Sequence, residues 1–462
     1  MSLFLRTERV VFAAGLATLA LSSSLLGSGP DDDRDDRDDR DVRDVMAEIA
    51  ALKAELAEVK AGEGDQWLSE ARAGEIRSLV QDVLADADSR ASLQSSGMTA
   101  GWDKGFFLAS PDGNFKLKVK GQIQIRYVLN HRDIDGAVQG DRWTKGFENR
   151  RTKLAFEGNI VDKTWLYKMQ GAFERDGGAF VLEDAWVQKD FGNGMYLRAG
   201  QFKAPYLREE SISSSRQLAV ERSLINEAFN QDFSQGVEFG FATDMFRAAV
   251  MYTDGTGDNN FLGTGSQNTQ WNTTTTEYAF TGRAEFLAAG DWKQFEDFTS
   301  WNGESFGLMI GAAVNYQTQE YGTAANGEQT GLGFTADVSV EFGGANLFGA
   351  FVHNNPDTDD NAGNDADQFG FLVQGGIFVI PDSVELFARY EWADPDTAGA
   401  NDLSVATAGV NWYLMKHAAK LTFDVGYSFE DFDGTWDRAS AGWLNAFGED
   451  EWVIRSQLQI LF

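Results

Sequence analysis

Glu451-Trp-Val-Ile-Arg-Ser-Gln-Leu-Gln-Ile-Leu-Phe462 closes the sequence, and its alternation decides the fold. Side chains of a strand point to opposite faces in turn, so Trp452, Ile454, Leu458, Ile460 and Phe462 share one face while Arg455, Gln457 and Gln459 share the other. A strand needs that division when lipid lies on one side and water on the other. A soluble edge strand can show it once, so the reading depends on repetition upstream.

The repetition is there. Phe115, Leu117, Val119, Ile123 and Ile125 alternate with Lys116, Lys118, Lys120, Gln122, Gln124 and Arg126, and few soluble strands carry four cations on one face. The same dyad returns in Phe306 to Tyr316, Phe334 to Phe342, Val384 to Trp392 and Leu421 to Phe429. Sixteen such strands are expected, near residues 115, 148, 164, 181, 194, 234, 245, 277, 306, 331, 345, 369, 384, 403, 419 and 451. Tight turns are expected at Val161 to Thr164, Gly343-Gly344 and Pro381-Asp382, and long polar loops at 254 to 276, 355 to 368 and 431 to 450. The stretch Ala288 to Ser305 is too long for a turn and leaves room for two further strands. The fold class expected is all-β: a 16-stranded antiparallel transmembrane β-barrel over residues 105–462.

Composition agrees. Glycine (49) and phenylalanine (35) are plentiful, proline is scarce (6), cysteine is absent, and the formal charge is -32. Such a charge argues against a nucleic-acid partner, and the lack of cysteine removes disulfides and thiol chemistry. Arg6 and Arg9 precede an apolar run from Val10 to Leu26 and small residues up to Gly29, which predicts a signal peptide over 1–29. Residues 30–44 form an acidic Asp/Arg linker that can bury nothing. Over 45–100 a periplasmic helical segment is expected, because Val45, Ile49, Leu52, Leu56 and Val59 follow the spacing of a coiled-coil seam, short at about two heptads. It can pack on its own barrel, self-associate, or reach the cell wall as an envelope tether.

Chemistry beyond transport finds little support. Only His131, His353 and His417 are available as histidine bases, and none neighbours a nucleophile motif, so no catalytic residue is expected. Asp357, Asp359, Asp360, Asp365 and Asp367 lack the spacing of a calcium loop, so neither metal nor cofactor is expected.

The blocks Phe147-Glu-Asn-Arg-Arg-Thr-Lys-Leu154, Leu182-Glu-Asp-Ala-Trp186, Ala199-Gly-Gln-Phe-Lys-Ala-Pro205 and Glu221-Arg-Ser223, with Gly158 and Gly236, resemble the phosphate-selective porin O/P family. The resemblance implies a trimeric outer-membrane channel in which the loop after the fifth strand folds inward as a constriction. Here that loop is Pro205 to Gln235, carrying Arg208, Glu209, Glu210, Arg216, Glu221 and Arg222. Phe462 at the last position resembles the signal read by the outer-membrane assembly machinery, and outer-membrane lipid is the expected surround. Inward positions divide by charge. Lys116, Lys118, Lys120, Arg126, Arg151 and Lys153 make a basic wall; Asp337, Glu341, Glu385, Glu391 and Asp424 make an acidic wall opposite. Of the adjacent Arg150 and Arg151, alternation lets only Arg151 face the lumen. The two walls would set a transverse field, which favours a general diffusion pore for small hydrophilic solutes and ions, phosphate among them, over a dedicated phosphate channel.

Overall fold

Two solvents shape each strand, and the side chains sort accordingly. Along Glu451–Leu461, Val453, Arg455, Gln457 and Gln459 are buried inside while Trp452, Leu458 and Ile460 stand exposed outside. The computed structural model describes residues 97–132, 143–255, 270–271, 276–320, 328–358, 366–430, 432–445 and 450–462, with Ala54 alone ahead of them. The expected signal peptide and linker therefore lie outside the described residues, and so does the helical segment expected over 45–100 except for Ala54 and residues 97–100, where the strand Thr99–Trp102 begins in place of helix.

Among the described residues eighteen strands form one sheet. The first two, β1 (Thr99–Trp102) and β2 (Phe106–Ala109), are a short hairpin that the alternation does not announce; β2 pairs with the start of β3. Removing those two from eighteen leaves sixteen barrel strands. They are β3 (Lys116–Arg132), β4 (Trp143–Asn159), β5 (Trp165–Phe173), β6 (Phe180–Gly192), β7 (Met195–Lys203), β8 (Phe233–Ala242), β9 (Phe246–Thr253) and β10 (Thr276–Ala289). Then follow β11 (Gly307–Glu320), β12 (Glu328–Glu341), β13 (Ala345–Thr358), β14 (Gln368–Ile380), β15 (Val384–Asp394), β16 (Leu403–Met415), β17 (Ala419–Ser428) and β18 (Glu451–Leu461). Each pairs antiparallel with its neighbour, and β18 pairs with β3 to close the ring. Closure removes every barrel edge, as backbone groups in hydrocarbon require.

Phe462 completes the seam. Its N–H donates to Gly121 O at 3.0 Å and its C=O accepts from Gly121 N at 2.6 Å, while its ring covers the space where a Gly121 side chain would stand. Exposed rings gather at both ends of the outer wall: Trp165, Phe191, Phe246, Phe306 and Phe342 at the turn end, Trp143, Phe147, Phe180, Tyr252 and Trp452 at the loop end. These are the aromatic girdles of a membrane barrel. The tight turns have the backbone they need: Gly343 and Gly344 both take positive φ, at 67° and 113°.

Residues 290–306 hold no strand, so the count of sixteen stands. This segment instead folds into the turn end of the barrel, burying Phe295, Phe298 and Trp301. Asn302 N donates to Asp382 Oδ1 at 2.8 Å and Gly343 N to Ser300 Oγ at 3.0 Å, so neighbouring turns latch it. The apolar core lies inside one half of the barrel, where Leu218, Leu224, Ile225 and Phe229 of the loop after β7 pack on Phe348, Val352, Leu372 and Phe387 of β13–β15. Phe432, Trp436 and Trp443, from the last long loop, extend that core to Val405 and Val453.

Candidate functional site

The loop after β7 carries its own skeleton. Helix α1 (Arg208–Ser211) and helix α2 (Leu224–Phe229) are too short to stand alone, so side chains hold them. Ser223 Oγ caps α2 by accepting from Asn226 N at 2.9 Å, and the Glu209 carboxylate accepts from Ser223 N at 2.9 Å and Ser223 Oγ at 2.5 Å. Arg222 donates to the carbonyls of Glu209 and Ile212 at 3.2 and 2.9 Å. Glu210 accepts from Asn226 at 2.8 Å and pairs with Lys203. Burial alone would raise the Glu210 carboxyl; Arg222 and Lys203 outweigh it and hold it at about 2.

Two walls then grip the loop. On one side the Glu221 carboxylate accepts from Arg126 Nη1 at 2.6 Å, Arg150 Nε at 2.7 Å and Arg151 Nη2 at 2.7 Å. Burial pushes this carboxyl up, but the charges of Arg150, Arg151 and Arg126 hold it well below the usual range. On the other side Asp424 Oδ2 accepts from Val220 N at 2.9 Å, Glu391 from Ile225 N at 3.2 Å, and Lys420 and Asn411 donate to the carbonyls of Gln217 and Leu218 at 2.8 and 2.9 Å. From the turn end, Phe295 O accepts from Arg208 at 2.8 Å and Glu296 pairs with Arg216 at 2.9 Å. The loop thus crosses the lumen and lies against β11–β18.

That placement changes the reading of the two walls. Glu385, Glu391 and Asp424 are fully buried, and Asp337 and Glu341 nearly so. They do not stand open to water as an acidic lining. The physical reason is the loop: its unpaired backbone N–H groups and the wall arginines need buried acceptors. Asp424 also pairs with Arg455 at 2.7 Å, Asp337 with Arg283 at 2.9 Å, and Glu385 accepts from Tyr413 at 2.6 Å. The basic wall is paired as well. Lys116 and Lys118 meet Asp103 at 3.5 and 3.0 Å, Lys120 meets Glu157, and Lys153 meets Glu183 at 2.5 Å.

Arg150 corrects the expectation that only one of the two arginines turns inward. Gln124 pairs with Arg151 and Ile125 with Asn149, so Arg150 is an extra residue in a β-bulge and both guanidinia reach Glu221. Glu183 sits in a second bulge, between Leu182 and Asp184, which sends both acids inward to Lys153 and Lys168. A run of adjacent charges in a dyad strand is the signal that could have revealed both.

The open passage runs along β4–β10. At the loop end a vestibule of about 660 Å³ is bordered by Arg150, Arg151, Lys153 and Arg175, with Glu174, Asp176 and Glu183. Below it a cavity of about 600 Å³ is bordered by Lys153, Lys168, Arg198, Lys203, Arg247 and Arg283 against Asp184, Glu238 and Glu285. Lys153 borders both, so it lies where the two adjoin. Ser213 and Ser214 of the loop border the lower cavity too. His131 and His353 stand at loop ends and His417 in a turn, and among the described residues no group of three or more His, Cys, Asp or Glu could hold a metal ion.

A closed sixteen-stranded barrel with an inward loop and a wet, charged lane beside it defines a porin. The model of the family "phosphate-selective porin O and P" matches residues 117–435, and the chain belongs to that family. It is an outer-membrane porin, a water-filled channel for small solutes. Among solved structures, the anion-selective porin from Comamonas acidovorans superposes with a TM-score of 0.54 at 15% identity, covering 75% of this chain and 99% of that one. Salmonella typhi OmpF, solved with daunomycin, gives 0.50 at 12% identity, over 78% of this chain and 100% of its own. The trimer form of Vibrio cholerae OmpT gives 0.46 at 14% identity, over 74% and 98%. These likenesses are of fold. No curated protein sequence matches the chain at a significant level.

Proposed function

We propose that the channel passes small hydrophilic solutes by diffusion with a modest preference for anions, and that it is not dedicated to phosphate. The observation that carries this is the lower cavity, where six cations face three carboxylates. Most of those cations already hold a carboxylate of the wall or of the inward loop, which leaves a weak net field in place of a chain of free donors. A dedicated oxyanion path needs donors that strip and hand on the ion. The test is the reversal potential of purified protein in a planar bilayer across a salt gradient, with phosphate as competitor. We expect a small shift toward anions and no block of chloride current by low phosphate; cation preference would sink the reading, and strong phosphate block would replace it with a dedicated channel.

The assembly is a homotrimer in this reading, as the family resemblance implies, with residues 30–100 in the periplasm. Three copies of the seam at Val45, Ile49, Leu52, Leu56 and Val59, tethered to neighbouring barrels, gain from high local concentration. Leu52→Asp with Leu56→Asp should then lower trimer resistance to heat and detergent while single-channel conductance holds. An undiminished trimer would leave the segment as a spacer or wall-binding arm.

A further inference from the structure

Arg198, midway along β7, is held mainly by rings, as is Arg247 over Trp292 at 4.1 Å, but among the cations of the lane it is the one that lies over three. Its guanidinium lies over three rings, 4.7 Å from the centre of Trp186, 5.1 Å from Phe202 and 5.4 Å from Tyr196. Nε donates to Gln188 Oε1 at 3.0 Å. Its carboxylate partner is distant: Glu238 lies 3.6 Å from Nη1 and accepts from Tyr196 Oη at 2.9 Å. By comparison Lys153, Lys168 and Arg283 hold their carboxylates at 2.5, 2.7 and 2.9 Å. Arg198 is therefore fixed by rings and loosely neutralised, with a quarter of its side chain open to solvent (25%).

Rings beside a fixed cation suit one class of solute. A small inorganic anion gives up hydration water and needs donors in return, and the faces of aromatic rings offer none. An anion that carries its own ring gains on both counts. Its carboxylate can take the planar donor fork of a guanidinium, and its ring can stack or meet edge to face with the neighbouring side chains. The lower cavity has room for it: about 600 Å³, inside the range of roughly 300–1,000 Å³ typical of sites for small organic molecules. Trp186 and Tyr196 both border that space and keep part of their surface exposed.

We propose that Trp186, Tyr196 and Arg198 form a binding site within the lane for small planar organic anions, aromatic carboxylates being the class. The proposal rests on the lane being the path of permeation. A solute that passes Lys153 from the vestibule enters the same cavity that these three side chains border, so the site is met in transit. It raises the residence of ring-bearing anions over that of acetate or phosphate, and so biases a general channel toward them at low concentration.

The experiment compares sodium benzoate, acetate and phosphate as blockers of chloride current through single channels, and by calorimetry on the detergent-solubilised barrel. Benzoate should act saturably at concentrations roughly threefold to tenfold lower than acetate, the factor that an aromatic pair contributes. Trp186→Ala should erase that difference and Trp186→Phe should keep most of it, each variant's own chloride current serving as its baseline. Equal potency of benzoate and acetate, a difference that persists in Trp186→Ala, or tighter block by phosphate would overturn the site. Calorimetry decides the matter even for a variant that conducts poorly. A reversal potential favouring cations, with benzoate binding intact, would instead overturn the permeation reading and leave the site standing.

Discussion

Replacing Glu221 by Gln should make the channel more anion-selective while weakening its constriction. Arg126, Arg150 and Arg151 converge on this one carboxylate, and Glu148 shares Arg126. Three cations and two acids leave a local charge of +1, and Glu221→Gln raises it to +2. At ~6 Å from a passing anion, one added unit charge contributes about 0.7 kcal/mol in bulk water and about 2.8 kcal/mol at an effective dielectric of ~20. The vestibule is wet and bordered by Arg150 and Arg151, so the lower figure applies, about threefold in local anion concentration. Removing one partner of a buried ion pair costs about 3–5 kcal/mol of local stability.

The loop should stay seated nonetheless, because Val220 N, Ile225 N, Gln217 O and Leu218 O keep their partners on β15–β17. The assay is reversal potential in a salt gradient, with heat-modifiable migration as the stability readout. The expected result is a permeability ratio shifted at least about twofold toward anions, together with a lower temperature of barrel unfolding. An unchanged ratio in a folded variant would mean that the three arginines do not face the path, and a shift toward cations would refute the charge accounting.

Lys153 gives the opposite prediction: Lys153→Ala removes a cation and leaves Glu183 without its counter-charge, with only Gln170 still donating to it, so selectivity should move toward cations by a similar factor, read from the same reversal potential. Acidification tests the loop. Glu221 and Glu210 are held below the usual glutamate value of 4.5, so their stabilising contributions are present above that value and fade only as pH falls through the folded values, about 2 for Glu210. Channel closures should therefore not rise from pH 7 to pH 4.5: burial raises the carboxyls of Glu209 and Asp232 in the same loop, Asp232 to about 6, so protons taken up there relieve the cost of a buried charge, and closures rising within that window would contradict the assignment. At the seam, Gly121→Val places a side chain where the Phe462 ring lies, an overpacking that costs about 1–3 kcal/mol. It should slow barrel closure and lower heat resistance in refolding followed by gel migration.

The barrel was legible because lipid and water leave opposite imprints on alternate residues, and the alternation around Lys116, Val384, Leu403, Ala419 and Glu451 marks strands that begin within a residue or two of those points. What the alternation cannot carry is an exception to itself. Arg150 and Glu183 each add a residue to one strand, and a strict dyad then sends the wrong neighbour outward. Nor can alternation say what an inward residue meets. Glu385, Glu391 and Asp424 do point inward, yet a loop more than 150 residues earlier in the sequence covers them, and only tertiary placement reveals that. The long connection at 290–306 was ambiguous for a similar reason. Its length fits two strands as well as an inward fold, and the burial of Phe295, Phe298 and Trp301 decides between them.

The uneven spread of cations along the chain explains why the lane lies where it does. Residues 101–284 hold twenty-two Lys and Arg, and residues 285–462 hold six. The second half of the barrel contributes acceptors, and a loop rich in backbone donors and arginine seats itself there, consuming Asp424 and Glu391 as anchors. Apolar packing of Leu218, Leu224, Ile225 and Phe229 then closes that half to water. Water is left with the other half, where cations outnumber acids along the lower cavity. A chain of formal charge -32 thereby presents a mildly positive path. Whole-chain charge therefore does not describe the lining of the passage, because most carboxylates lie inside the wall and in the loops while the passage is bordered by what remains.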